Sequence, residues 1–474
     1  MAEPTSQSLT LPPCLVVVNP KAGGYRAELV KPWCEQFVQR YAAQRPGDSE
    51  RGRTVRTVYT ERANHAPELV QAFLADQADM KDPAAIAVAL PSTPRAFIIC
   101  LGGDGTVHEV INALVEPAIP GLSSPPSTPI DHASPSHPVD IGVVPLGSGN
   151  ALASQLGFRR PSDALDRYLR DDLLSNPLTR RPLHTVDVRL PYGARWYLTG
   201  HPVTVHRVSS FCVISWGFHC NNVASSEWLR CLGPIRFTLA GIKNLVTLTP
   251  YHGTLTLTGA RRYRPIEAAT TTSDHANQIE TPTHLPPPTV DSPWGTFEAV
   301  TAETLPGPCD TFNADRQQLT LQGPFTVFLA AKLAELSAGF CITPLARPDD
   351  ADIDVVIGRG LTRSQTLAVF QGAGVRGTHI RLPFVEYYKV RGLTVRPASS
   401  WSKALASHKM VDRNSGRGEE GVKDNGSGDH RDADAKEGPH HTLCVDGELY
   451  SVPDLGEIVA EIPTARDCVL HTLS

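Results

Sequence analysis

The fold of this chain is decided by the stretch AFIICLGGDGTVHEVINAL, residues 96–114. Its apolar run, Ala96–Leu101, predicts a buried strand that ends in the glycine-rich turn Gly102–Thr106. From Val107 onward, apolar residues recur at i, i+3, i+4 and i+7, which predicts a helix directly after the turn. The sequence therefore predicts a strand, a glycine turn and a helix in immediate succession.

The turn has the chemistry of a phosphate site. Glycines let backbone amides approach a phosphate with no Cβ in the way, and the helix N-terminus adds donors and a positive dipole end. Asp104 is the one carboxylate in the turn. An acid beside a phosphate cradle indicates phosphoryl transfer, with the acid taking a proton from a hydroxyl. The alternative is a plain strand-to-helix turn in which Asp104 caps the helix.

Two further segments repeat this pattern. CLVVVNPKAGG, residues 14–24, and DIGVVPLGSGN, residues 140–150, are each a β-branched run that ends in polar, glycine-rich backbone. Another strand is predicted at Thr57–Tyr59, before TERANHA at 60–66. Because open α/β sheets bind ligands at the carboxyl ends of their strands, these turns are expected to form one site.

The motifs NPKAGG, TERANHA, GGDGTVHEV and PLGSGNALA, in this order, resemble the diacylglycerol-kinase catalytic superfamily. Within it, the chain looks most like sphingosine (long-chain base) kinases. The resemblance continues at Trp216–Phe218, at Glu227–Phe237 and in the VDGE motif at Val445–Leu449. It implies an ATP-dependent lipid kinase that uses Mg²⁺ and transfers the γ-phosphoryl group to the primary hydroxyl of a sphingoid base.

The resemblance also implies a role for each matching residue. Asp104 is expected to be the general base on the lipid hydroxyl, and Asp446 to help hold Mg²⁺, directly or through water. Val213, Asn221 and Val223 are expected at the lipid. The other matching residues are expected to bind ATP: Asn19, Pro20, Lys21, Thr60, Gly102, Gly103, Gly105, Thr106, Gly147, Ser148, Gly149, Asn150, Arg230, Arg236, Gly447 and Glu448.

The chain departs from sphingosine kinases at the lipid headgroup. Those enzymes place an acid where this chain has Val223, and a serine near Val213. Valine cannot pair with an ammonium group, and a buried cation without a partner is costly. Ceramide kinases resemble the chain in the apolar residue near Val223, but they usually lack the GSGN turn and carry an N-terminal membrane-binding domain. Diacylglycerol is a further alternative, and Asn221 or Asn222 is an alternative headgroup contact.

Three other functions remain open on the sequence. NAD or sugar-phosphate kinases of the superfamily share GGDGT but lack the paired GSGN and VDGE motifs. A catalytically silent lipid-binding scaffold is disfavoured by the retained Asp104 and Asp446. A nucleotide-binding module acting through a partner is expected to bind ATP without lipid-dependent phosphate transfer.

Composition predicts a cytoplasmic protein with local, peripheral membrane association. The net charge of −5 gives no general attraction to nucleic acid or to anionic membranes. The N-terminus lacks the charged-then-apolar pattern of a signal peptide. The 10 cysteines include no CxxC pair, which argues against a zinc site or a disulfide framework.

The 474 residues predict two domains. Residues 12–183 alternate strand and helix, which predicts a three-layer α/β nucleotide-binding domain. Residues 184–465 are rich in short strands and predict an antiparallel β-sandwich that binds the lipid. Its helix near Ile235–Leu248 is expected to cover the lipid pocket with one apolar face. Disordered insertions are expected at 116–138, 259–316 and 407–441.

Overall fold

A computed structural model describes residues 12–43, 55–78, 96–115, 139–170, 180–233, 235–265, 295–398, 442–453, 456–463 and 470–473. The side chains at 77, 78, 230, 231 and 473 lie outside this description. Within the described residues, no helix combines the length and the apolar character that a membrane crossing requires.

The first sheet has six strands, mostly parallel. Their order is β2-β1-β3-β4-β24-β5, and only the pair β24 and β5 is antiparallel. The order runs outward from β1 in both directions, so the topology reverses between β1 and β3, where open α/β sheets bind ligands. The strands are β1 (Cys14–Val18), β2 (Val55–Tyr59), β3 (Ala96–Gly102), β4 (Val139–Pro145), β5 (Arg180–Pro182) and β24 (Leu470–Leu473).

Helices cover the first sheet, and its central strands are buried on both faces. Every residue of β1, β3 and β4 is buried, as expected for parallel strands between helical layers. The apolar residues predicted on the face of the third helix are all buried. The helices of this part are α1 (Ala27–Ala43), α2 (Ala66–Ala78), α3 (Asp104–Val115), α4 (Ala151–Gln155) and α5 (Pro161–Tyr168).

Two larger antiparallel sheets follow. A sheet of seven strands has the order β13-β14-β10-β20-β23-β6-β8, and a sheet of nine has the order β12-β11-β19-β18-β15-β9-β21-β22-β7. The seven-stranded sheet contains β6 (Val186–Arg189), β8 (Arg207–Ser210), β10 (Gly253–Thr258), β13 (Thr311–Asn313), β14 (Gln318–Gln322), β20 (Gly392–Pro397) and β23 (Ile458–Glu461). The nine-stranded sheet contains β7 (Arg195–Trp196), β9 (Val213–Gly217), β11 (Arg261–Pro265), β12 (Gly295–Ala299), β15 (Phe325–Ala331), β18 (Ile353–Arg359), β19 (Glu386–Val390), β21 (Thr442–Val445) and β22 (Glu448–Ser451).

The two antiparallel sheets share one apolar core. Alternate residues contribute to it, such as Leu255 and Leu257 of β10 and Phe328 and Ala330 of β15. This period of two is the pattern of strands with one face turned inward. The remaining elements are the ribbon β16 (Glu335–Ser337) and β17 (Phe340–Cys341), and the helices α6 (Phe218–Ser226), α7 (Ile235–Val246) and α8 (Arg363–Gly374).

Direct contacts join the parallel and antiparallel parts. Asn112 of α3 pairs with Ser209 of β8, donating to its carbonyl oxygen at 3.0 Å and accepting from its N–H at 2.8 Å. Arg159 forms an ion pair with Glu335 of the β16–β17 ribbon, with the charged atoms 2.7 Å apart. The apolar core of the first sheet also continues into residues of β15 and α8.

The structure confirms a mixed α/β fold with several sheets, and it differs from the sequence prediction in two places. The prediction of disorder over 259–316 is wrong for part of the segment, because β11, β12 and β13 lie within it. The last strand, β24, lies beyond the predicted limit at 465 and returns to the first sheet. The insertions expected at 116–138 and 407–441 lie outside the described residues, and the two-domain division stays a prediction.

Candidate active site

Three predicted turns meet at the carboxyl ends of β1, β3 and β4. Asn19 N–H donates to the carbonyl oxygen of Leu101 at 2.9 Å, and Leu146 N–H donates to that of Gly102 at 2.9 Å. Gly24 N–H donates to the Leu146 carbonyl oxygen at 2.7 Å, which ties the first turn to the third. The segments predicted to share one edge of the sheet are therefore brought together.

Gly103 and Gly147 must both be glycine, because the turns that carry them are in contact through their backbones. A Cβ on Gly103 would lie 2.9 Å from the Cα of Gly147 and 3.0 Å from the carbonyl oxygen of Gly149. Such distances are shorter than a side chain tolerates, and the obstacle is backbone that cannot rotate away. A side chain at Gly103 must therefore separate the two turns.

Asp104 begins α3 and points at the start of α4. Both of its carboxylate oxygens accept from the N–H of Ala151, at 2.8 and 2.9 Å. Burial raises the pKa of the Asp104 carboxyl to about 7, the Ala151 N–H opposes the rise, and the charge of Asp446 adds to it. A carboxyl with a pKa near neutrality is suited to accept a proton at physiological pH.

The polar residues after β1 and β2 surround the first turn of α3. The side-chain amide of Asn19 donates to Oγ1 of Thr106 at 3.0 Å. Lys21 Nζ donates to the carbonyl oxygen of Glu61 at 2.7 Å, and so joins the turn after β1 to the turn after β2. Thr60 is buried beside them, with its N–H donating to Val18. These predicted ATP residues share one corner of the site.

The turn at 147–150 is closed by its own side chain. Asn150 accepts from Gly147 N–H at 3.0 Å and donates to the Gly147 carbonyl oxygen at 2.7 Å. Ser148 is exposed at the tip, and a Cβ on Gly149 would lie 3.0 Å from Oδ2 of Asp104. The turn thus packs directly against the candidate base.

The hairpin between β21 and β22 brings the VDGE residues to α3. Asp446 and Gly447 both have a positive φ, of 50° and 94°. Glu448 Oε1 lies 3.9 Å from where a Cβ on Gly105 would be. Glu448 therefore lies beside the turn that carries Asp104, although the two residues are far apart in the sequence.

The Asp446 carboxylate accepts five hydrogen bonds. Its oxygens accept from the Ser210 hydroxyl, from His108 Nδ1 and from three backbone N–H groups, at 2.7 to 3.0 Å. Its side chain is fully buried. These contacts do not fit direct binding of Mg²⁺ by Asp446, and binding through water stays a prediction. Among the described side chains, no group of three or more His, Cys, Asp or Glu residues could hold a metal ion.

The two predicted phosphate-binding arginines lie near the start of α7: Arg230 precedes it, and Arg236 is its second residue. Arg236 lies 3.6 Å from the Glu227 carboxylate, and its guanidinium carbon is 4.5 Å from the centre of the Phe237 ring. The side chain of Arg230 lies outside the described residues. The phosphate roles of both arginines stay predictions.

The predicted lipid residues lie on β9 and α6. Val223 is buried and packs in a cluster with Cys220, Cys444 and Leu449. Val213, at the start of β9, is buried, and its N–H donates to Asp446 at 2.8 Å. Asn221 donates to the Tyr251 hydroxyl. Val223, where the sequence comparison with sphingosine kinases leads one to expect an acid, therefore packs against other apolar side chains.

Two residues of this site, His108 and Ser210, were not predicted from the sequence. His108 follows Asp104 by four residues, which places both on one face of α3. That spacing was a usable signal within GGDGTVHEV. Ser210 carried no signal, because its partner Asp446 is 236 residues away.

The chain is similar in sequence to known lipid kinases. Residues 13–176 match the diacylglycerol kinase catalytic domain. Human sphingosine kinase 2 is 32% identical over 278 residues, which are 58% of this chain and 34% of that protein. Mouse sphingosine kinase 1 is 29% identical over 249 residues, which are 51% of this chain and 52% of that protein. The chain therefore spans about a third to a half of the curated relatives it matches first.

Among solved structures, the fold is similar to a crystal structure from Bacillus anthracis str. Sterne that carries a provisional diacylglycerol kinase designation. The TM-score is 0.50 at 12% sequence identity, and the match covers 100% of this chain and 98% of that chain. At this identity the likeness concerns the fold alone.

Proposed function

Residues 13–176 of this chain match the diacylglycerol kinase catalytic domain. We propose that the chain is an ATP-dependent lipid kinase that phosphorylates the primary hydroxyl of a sphingoid base or a related lipid. The observation that carries the proposal is the position of Asp104. Its carboxylate has a pKa of about 7 and lies where the turns after β3 and β4 pack against each other. The printed names of the curated relatives, sphingosine kinases, support the lipid class.

In this mechanism the two glycine turns hold the phosphates of ATP through backbone amides and the start of α3. Asp104 accepts the proton of the lipid hydroxyl as its oxygen attacks the γ-phosphorus. The bond from that phosphorus to the β–γ bridging oxygen breaks, and ADP leaves. The proton then passes from Asp104 to solvent, which restores the base. The steps above use this chain's own residues; Mg²⁺ bound with the phosphates of ATP would offset their negative charge.

A neutral lipid is the second candidate acceptor. Val223 packs against Cys220, Cys444 and Leu449, so a protonated amine placed there would meet no acceptor among these side chains. Burying such a cation is costly, whereas the amide of ceramide or the ester of diacylglycerol brings no charge. The surroundings of Val223 therefore favour an uncharged headgroup, and the relatives' names favour a sphingoid base.

We also propose peripheral contact of a cytoplasmic protein with membranes through α7. The exposed fractions of Ile235, Ile242 and Val246 are 57%, 59% and 63%, and that of Trp228, just before the helix, is 87%. Residues 235, 239, 242 and 246 follow the spacing of one helix face, and Leu239 is 42% exposed. An apolar face of this kind can insert into the acyl boundary of a bilayer. This face differs from the face predicted to cover the lipid pocket, which carries Phe237, Ala240 and Leu245.

A transfer assay tests the proposal. The protein is incubated with γ-labelled ATP and, in parallel, with sphingosine, phytosphingosine, ceramide, diacylglycerol and monoacylglycerol in detergent micelles. We expect label in at least one lipid and a loss of about 10²-fold or more in kcat for Asp104→Asn, as for removal of a general base. ATP binding with no labelled lipid would support the silent scaffold or the nucleotide-binding module instead.

A variant in the same assay tests the headgroup argument. Val223→Asp supplies a carboxylate to the apolar cluster and is expected to raise the rate with sphingosine relative to ceramide. Val223→Asn is the matched control, since it has the same shape without the charge. An equal response of both lipids to both variants would contradict the argument.

A further inference from the structure

Asp446 joins the two parts of the protein through a buried cluster, here called the Asp446 hub. The hub consists of Asp446, His108, Ser210 and the backbone N–H groups of 211–213. Oδ1 accepts from Ser210 Oγ at 2.7 Å, Cys212 N at 3.0 Å and Val213 N at 2.8 Å. Oδ2 accepts from His108 Nδ1 and Phe211 N, both at 3.0 Å. Five donors therefore converge on one carboxylate.

The carboxylate has no capacity left for a further strong ligand. Two carboxylate oxygens offer about four lone-pair sites, and five donors already use them. The Asp446 side chain is also fully buried, so a cation cannot bind it directly without breaking these hydrogen bonds. Five hydrogen-bond donors around one carboxylate are typical of a buried acid with a structural role. They do not fit direct binding of a metal by Asp446.

The hub links the helix that carries the base to the strand that leads to the lipid residues. His108 lies one turn after Asp104 on α3. In the next turn, Asn112 Nδ2 lies 3.3 Å from His108 Nε2 and donates to the His108 carbonyl oxygen at 2.9 Å. His108 Nδ1 faces Oδ2 of Asp446, which can only accept, so Nδ1 carries a proton. On the other side, Asp446 N–H donates to the Val213 carbonyl oxygen at 2.8 Å, and Val213 begins β9. One residue thus fixes α3 and β9 relative to each other.

We propose that Asp446 is a positioning residue, which sets the distance between Asp104 and the lipid hydroxyl by holding α3, through His108, against the start of β9. This inference rests on the proposed lipid kinase function and deepens it. A displacement of about 1 Å between reacting groups is enough to lower kcat by about 100-fold, without a change in the binding of the nucleotide.

The first test replaces the two side chains of the ion pair. Asp446→Asn turns an amide N–H₂ toward at least two donors, whichever way it faces. His108→Leu removes the Nδ1 donor, whereas His108→Asn keeps an N–H at nearly the same place. We expect about 100-fold lower kcat for Asp446→Asn and His108→Leu, with the KM for ATP changed by less than about threefold, and near-normal kcat for His108→Asn.

A magnesium titration separates positioning from metal binding. If Asp446 positions α3, then the Mg²⁺ concentration at half-maximal rate is unchanged in Asp446→Asn, and excess Mg²⁺ does not restore kcat. A rise in that concentration by tenfold or more, with recovery at high Mg²⁺, would overturn the inference. Equal loss of kcat in His108→Leu and His108→Asn would overturn it as well.

A readout without turnover keeps the inference separate from the proposed function. If the wild-type protein labels no lipid, the lipid kinase proposal fails, and amide hydrogen exchange still tests the hub. We expect at least about tenfold faster exchange at 211–213 and along α3 in His108→Leu, and wild-type exchange in His108→Asn. Wild-type protection of both segments in His108→Leu would refute the hub, even in an active enzyme.

Discussion

Asp104→Asn is expected to change how stability depends on pH, as well as to remove activity. In the folded protein the Asp104 carboxyl has a pKa of about 7, raised by burial from the ordinary value of 3.8. Between these two pH values the folded state binds more protons than the unfolded state. The stability of the wild-type protein therefore falls as pH rises from about 4 to about 7, and the contribution of Asp104 is constant above that.

The size of the effect follows from the shift. Each unit of pKa corresponds to about 1.4 kcal/mol, so a rise from 3.8 to about 7 gives up to about 4 kcal/mol. Asparagine does not titrate, and its side-chain oxygen can still accept from Ala151 N–H. The difference in unfolding free energy, variant minus wild type, is thus expected to grow by up to about 4 kcal/mol between pH 4 and pH 8.

Urea unfolding at several pH values between 4 and 8 measures this difference. Asp163→Asn is the matched control, because Asp163 is a partly exposed helix acid whose pKa is lowered by Arg160. Its titration therefore lies below pH 4, and its variant-minus-wild-type difference is expected to stay flat between pH 4 and pH 8. A variant-minus-wild-type difference for Asp104→Asn that stays flat with pH, or that falls as pH rises, would refute the buried, proton-poised carboxylate.

Three further predictions follow from particular contacts. Gly103→Ala is expected to raise the KM for ATP by about tenfold, because its Cβ would press on Gly147, whereas Gly23→Ala, with nothing within 4 Å, leaves it unchanged. Equal KM values in steady-state kinetics would contradict this. Removal of residues 470–474 takes β24 from between β4 and β5 and is expected to lower Tm by about 5 °C or more, as measured by calorimetry; an unchanged Tm would count against the strand. Ile242→Glu is expected to weaken sedimentation with lipid vesicles while sparing kcat on micellar lipid, and Lys243→Glu tests whether charge alone explains the loss.

The parallel sheet was predictable because its signals are local. The runs at Cys14–Val18 and Ala96–Leu101 are apolar throughout, and each ends in glycine-rich backbone, so both strand and turn are encoded within a dozen residues. The structure buries both runs completely. The placement of the turns at one edge then followed from the geometry of parallel strands.

The parts that sequence reasoning missed depend on distant partners. Leu470–Leu473 is too short to identify as a strand until Val139–Ile141 is beside it. The strands β11 and β12 lie in a polar segment, where Tyr263 and Phe297 pack against Tyr387. The exposed face of α7 was also missed, because apolar residues occur on two sides of this helix and periodicity does not show which side is covered.

The site itself was predictable in its residues and less so in their roles. The motif order pointed to Asp104 and to the glycines that the structure brings together. The burial of Asp446 and its five hydrogen bonds could not be read from VDGE, because they depend on Ser210 and His108, which lie elsewhere in the chain.

A structure of the protein with a non-hydrolysable ATP analogue tests the central claim most directly. We expect the phosphates to lie against the turns at 102–106 and 147–150, with the terminal phosphate facing the Asp104 carboxylate across a space that admits a lipid hydroxyl. A nucleotide bound elsewhere, or a terminal phosphate separated from Asp104 by protein, would contradict it.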